Sequence, residues 1–65
     1  MDRRFMRFTD VTGTVVTINM DNVSYYYGTI TDGRSVTVFV INANPHTTIT
    51  CKVSVDDVDK MLGVR

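Results

Sequence analysis

The chain lacks tryptophan and glutamate altogether, and holds one cysteine, one histidine and one proline in 65 residues. A lone cysteine, Cys51, excludes an internal disulfide, and one cysteine with one histidine cannot furnish the four ligands of a structural zinc. No stretch approaches the roughly 20 apolar residues of a membrane-spanning helix. The start, Met1-Asp2-Arg3-Arg4-Phe5, is not followed by an apolar run of signal-peptide length. The expectation is a soluble, cytoplasmic protein with no membrane span. Seven basic residues balance seven acidic ones, so net charge supplies no general attraction to nucleic acid or anionic lipid, and nucleic acid is not the expected partner. A glycine-rich phosphate loop and paired catalytic carboxylates are both missing. The chain therefore reads as not an enzyme, with no cofactor and no metal.

What is present is a strand-rich pattern in a single small domain, residues 1–65, with 1–5 read as a flexible extension. A chain of this size buries only about 60% of the surface its unfolded form exposes, so its core is marginal, and with neither disulfide nor metal the remaining compensations are self-association or good packing. Dense Val, Thr, Tyr, Phe and Ile between Gly, Asp and Asn clusters predicts five strands joined by short turns. The acids, all aspartate, suit turns and caps. For Arg4 to Asp10 and Thr14 to Ile18, a three-residue loop Val11-Thr12-Gly13 sets Phe8 opposite Val16, Met6 opposite Ile18 and Arg7 opposite Thr17. That register segregates apolar from polar with only Val15 out of place; a two-residue loop would waste burial. Asn19-Met20-Asp21-Asn22 turns the chain into Val23 to Thr31, and Asp32-Gly33 is a strong two-residue hairpin signal. It pairs Tyr27 with Val38, Tyr25 with Val40 and Tyr26 with Phe39. If the loop Asn42 to His46 spans five residues, Ile49 is the partner of Phe39.

The last third alternates from Thr47 to Val53, with Ile49, Cys51 and Val53 on one face, and passes directly into apolar Val55, Val58, Met61 and Leu62 at helical spacing. Ser54 is placed to cap that helix through the amide of Asp57, with Asp57 reaching back as in a capping box. Asp56 and Asp57 suit the positive end of the helix dipole, and Gly63 ends it. The predicted architecture is mainly β (α+β): a five-stranded antiparallel meander, curved or barrel-like, with one short C-terminal helix.

The order Phe8-Thr9-Asp10-Val11-Thr12-Gly13, then Val16-Thr17-Ile18-Asn19-Met20-Asp21-Asn22-Val23, then a strand pair closing on Val53-Ser54-Val55-Asp56-Asp57-Val58, resembles the small FlbD/SwrD-like proteins of bacteria. It also resembles related small proteins of phages and bacterial genomes. The likeness spans nearly the whole chain, although Met20 stands where that family often has proline. It implies a compact non-enzymatic module, with a link to flagellar motor function in the named members.

Three constellations bear on function. Tyr25-Tyr26-Tyr27 with Phe39 could stack bases, with Arg3, Arg4, Arg7 and Arg34 on phosphates; Arg4, Arg7, Tyr26 and Arg34 are the nucleic-acid candidates. Successive strand residues alternate, however, so at most two of these tyrosines share a surface. His46 and Cys51 lie at opposite ends of a strand, roughly 17 Å apart at about 3.3 Å per residue, too far for a nucleophile and its base, and Cys51 reads as a buried small hydrophobe. Asp56, Asp57 and Asp59 fan around a helix start and read as solvated. The segment Val36 to Ile41 is apolar on both sides, with Val36, Val38 and Val40 on one face and Phe39 and Ile41 on the other. One helix can cover only one of them. Tyr26, Phe39 and Ile41 are accordingly the interface candidates of a self-associating interaction or regulatory module. The alternatives are a small nucleic-acid- or nucleotide-binding β protein and a phage-encoded inhibitor of a host protein.

Overall fold

A computed structural model describes residues 4–42, 45 and 47–64. Five strands run in order, β1 (Phe5–Thr9), β2 (Val15–Asn19), β3 (Val23–Thr31), β4 (Arg34–Ile41) and β5 (Thr47–Cys51), followed by helix α1 (Val55–Leu62). One 3₁₀ turn, Met20–Asn22, separates β2 from β3; Asn19 caps it by accepting from the Asp21 amide at 3.1 Å. Phe5 already opens β1, opposite Asn19.

The strands form two sheets, β1-β2 and β3-β4-β5, which corrects the expectation of one five-stranded curved sheet or closed barrel. Among the described residues their backbone link is one antiparallel bridge between Asp10 and Cys51, where Val11 N–H donates to Thr50 O at 3.0 Å and Lys52 N–H to Thr9 O at 2.8 Å. A pocket of about 160 Å³, lined by Thr17, Ile18, Asn19, Asn22, Ile41 and Ile49, opens between β2 and the ends of β4 and β5.

Turn chemistry explains the registers within each sheet. Gly13 takes a positive φ of 93°, and the Asp10 carboxylate accepts from the Thr12 amide at 2.9 Å, the Thr12 hydroxyl at 2.6 Å and the Thr14 amide at 3.0 Å. The three-residue loop therefore closes, and Met6, Arg7 and Phe8 face Ile18, Thr17 and Val16. In the second hairpin Asp32 and Gly33 both take positive φ, 52° and 76°, the type I′ turn whose twist matches its strands. Tyr25, Tyr26 and Tyr27 then lie opposite Val40, Phe39 and Val38. An irregularity between Val23 and Tyr25 shifts the ladder near its start. Beyond it Asn42 N–H still reaches Asn22 O at 2.6 Å. Phe39 lies opposite Ile49 in the third pairing.

Helix α1 is capped as its composition requires. The Ser54 hydroxyl accepts from the Asp57 amide at 3.2 Å, and Gly63 closes the helix at φ 74°, a cap worth about 0.5–2 kcal/mol. Val58 is its fully buried residue. Phe8, Ile18, Phe39, Cys51 and Val58 form the core. The rings of Phe8 and Phe39 lie 5.0 Å apart and those of Tyr26 and Phe39 5.7 Å apart, contacts worth about 0.5–1.5 kcal/mol each beyond their burial. Thr37, also fully buried, donates its hydroxyl to Val53 O at 2.7 Å. No helix is long and apolar enough to cross a membrane.

Candidate functional site

Side-chain alternation gives the three-stranded sheet two unlike faces. One carries Tyr26 and Gly28 from β3, Thr37, Phe39 and Ile41 from β4, and Ile49 and Cys51 from β5. Helix α1 and the β1-β2 hairpin both lie on this side: Val55 sits over Gly28 and Asp59 accepts from the Tyr26 hydroxyl at 2.5 Å, while Phe8 and Ile18 pack in the same cluster as Phe39 and Cys51. Phe39 has no exposed surface, and Tyr26, Ile41 and Ile49 are half-buried against the core. The expected contact face of Tyr26, Phe39 and Ile41 is thus the inner face of this chain. The reason is that hairpin and helix share one side, which β4 alone could not reveal because both of its faces are apolar.

The opposite face is open. It carries Tyr25, Tyr27, Thr29 and Thr31 from β3, Arg34, Val36, Val38 and Val40 from β4, and Thr48 and Thr50 from β5, with Lys52 next in line. The valines form a floor only 3–7% exposed. Tyr25 and Tyr27 stand out at 59% and 47% exposure, their rings stacked with centroids 6.3 Å apart and planes at 27°. Beyond Val36 the floor runs into a cleft of about 330 Å³ lined by Val11, Thr31, Asp32, Arg34, Val36 and Lys52. Neither Arg34 nor Lys52 has an ion-pair partner among the described residues.

The four nucleic-acid candidates do not converge. Arg34 lines the cleft, but Tyr26 points inward. Arg7 is exposed on β1, in the other sheet. Arg4, just before β1, lies 3.9 Å from the Asp21 carboxylate and 6.0 Å from the Phe5 ring centre. Of the three tyrosines weighed as a stacking platform, the two that share an exposed surface are Tyr25 and Tyr27, as their i, i+2 spacing allows, and not the Tyr26 kept as the candidate.

Titration follows burial. The hydrogen bond to Asp59, with burial added, pushes the Tyr26 phenol up to about 12. Burial, helped by the charge of Asp10, pushes the Cys51 thiol up to about 11, which opposes a nucleophilic role. The Thr12 hydroxyl and neighbouring amides hold the Asp10 carboxyl below its usual value. His46, the other half of the dyad weighed above, lies outside the described residues. Comparison with known protein families, curated proteins and solved structures finds no match to this chain.

Proposed function

We propose that this chain is a small non-catalytic contact module that associates with copies of itself along the outer edge of β3. The observation that carries the reading is that edge: nine residues, Val23–Thr31, with no charge and no proline, and with no strand on their outer side among the described residues. Thr31 and Arg34 flank a two-residue turn and form the hydrogen-bonded pair beside it. Alternation along the ladder then directs the backbone groups of Tyr26, Gly28 and Ile30 outward. Long uncharged edges of this kind are templates for another strand, and proteins that stay monomeric blunt them with charge, proline or a covering element. A two-fold pairing of two such edges brings no like charges together and gives the closed symmetry common among small oligomers. It also continues the sheet, which supports a core this small.

Sedimentation of the wild-type chain across a hundredfold dilution tests the reading. The expected result is a dimer that dissociates on dilution, and a monomer from Ile30→Pro. Ile30 is 72% exposed, and proline there removes an outward donor while sparing the ladder to β4. A wild-type chain that remains monomeric at high micromolar concentration overturns it.

A further inference from the structure

We propose that the open face binds single-stranded nucleic acid, with bases stacked on Tyr25 and Tyr27 and backbone phosphate held in the cleft by Arg34 and Lys52. This goes beyond self-association and does not depend on it.

The first argument is what the face still has to offer a ligand. Val36, Val38 and Val40 are already shielded, so an apolar protein surface laid over them gains little further burial. The large groups left exposed are two tyrosine rings on one surface, and a ring face suits any base, since every base has a π-face.

Charge placement is the second argument. The chain is neutral as a whole, but four of its described acids lie away from the cleft. Asp56, Asp57 and Asp59 lie on α1, behind the sheet, and Asp21 lies in the 3₁₀ turn, while Asp10, which accepts from Thr12 and Thr14, adjoins Val11 at the edge of the cleft. The cleft brings together two cations that have no ion-pair partner among the described residues and one acid, Asp32. A net positive pocket at the end of an aromatic surface is complementary to a strand that is anionic along its backbone and aromatic on its bases. A duplex hides its bases from such a surface.

Spacing is the third. Tyr27 and Thr31 are four strand positions apart, about 13 Å at roughly 3.3 Å per residue, which fits a segment of roughly four nucleotides, the low end for small single-strand-binding folds. The hydroxyls of Thr48 and Thr50 border the same floor.

The test is fluorescence anisotropy of a labelled oligothymidylate and of a duplex of equal length, titrated with the full chain at several salt concentrations. The expected result is binding of the single strand in preference to the duplex. Affinity should fall with salt at a logarithmic slope near −1.4, for about two phosphates at roughly −0.7 each. Tyr27→Leu, which keeps an apolar strand residue but no ring, should weaken binding about five- to 150-fold, while Tyr27→Phe retains it. Replacing both Arg34 and Lys52 by glutamine should flatten the salt slope. Sedimentation of the same samples separates this from self-association: a dimer that ignores oligonucleotide overturns the proposal and leaves the β3 edge intact. No anisotropy change at low salt, equal binding of duplex, or undiminished binding by Tyr27→Leu each overturns it as well.

Discussion

The Tyr26 hydroxyl donates to the Asp59 carboxylate at 2.5 Å across 33 positions of chain, and this bond ties the edge strand β3 to the helix. A hydrogen bond to a charged acceptor is worth about 1.5–3 kcal/mol, placing it among the stronger single contacts in a small core.

Tyr26→Phe should therefore lower stability by about 1–2 kcal/mol, the lower part of that range because Asp59 is only partly buried and water can replace the phenol. The pH dependence has a definite sign. The folded phenol is pushed up to about 12 from its ordinary 10.0, so the folded state holds its proton more tightly than the unfolded state. The contribution is complete below pH 10 and is lost as pH rises toward 12. Urea unfolding of both proteins through that window should show the wild type losing its advantage over Tyr26→Phe.

Gly28 lies under Val55, and a Cβ built on it would meet Val55 Cγ1 at 3.0 Å and Val55 Cβ at 3.2 Å. Gly28→Ala should cost about 1 kcal/mol or more by lifting the first turn of the helix from the sheet. Val55→Ala removes the closer of the two contacts, with Cγ1, and leaves only Cβ at 3.2 Å, so the double variant should be more stable than the sum of the single effects implies. Additive single effects in thermal unfolding would mean that the helix does not rest on this glycine.

Cys51 is fully buried beside the bridge that joins the two sheets. Cys51→Ser should cost about 1–3 kcal/mol by burying a hydroxyl without a partner, and Cys51→Ala less. At pH 8 a thiol titrating near 11 is roughly one part in a thousand thiolate. Native-state labelling by a thiol reagent should be slow, and should accelerate with urea as the protein opens. Rapid labelling without denaturant would contradict this burial.

The hairpin registers were legible because each is set by three or four consecutive residues. Gly13 and the Asp10 side chain settle one loop, Asp32-Gly33 the other, and period 2 carries the pairing onward. The cap at Ser54 and the stop at Gly63 were legible for the same local reason. The division into two sheets was not. It depends on how few backbone bonds join Asp10 and Cys51, groups 41 positions apart, and strand patterns carry no signal of that. Nor was the choice of outer face. Val36 to Val40 reads as apolar on both sides, and only the positions of Phe8, Ile18 and Val58 decide that Phe39 is inside. Tyr26 was misplaced with it, and the exposed tyrosines, Tyr25 and Tyr27, are those out of phase with Phe39.

The bridge between the sheets bears on how the chain is made. Phe8 and Ile18 are synthesised first, yet the groups that enclose them, Phe39, Cys51 and Val58, all come from the second half. The emerging β1-β2 hairpin has nothing to pack on until α1 is complete, and an isolated two-stranded hairpin is marginal in water. The first two strands thus settle only once β3, β4, β5 and α1 supply the surface that encloses Phe8 and Ile18.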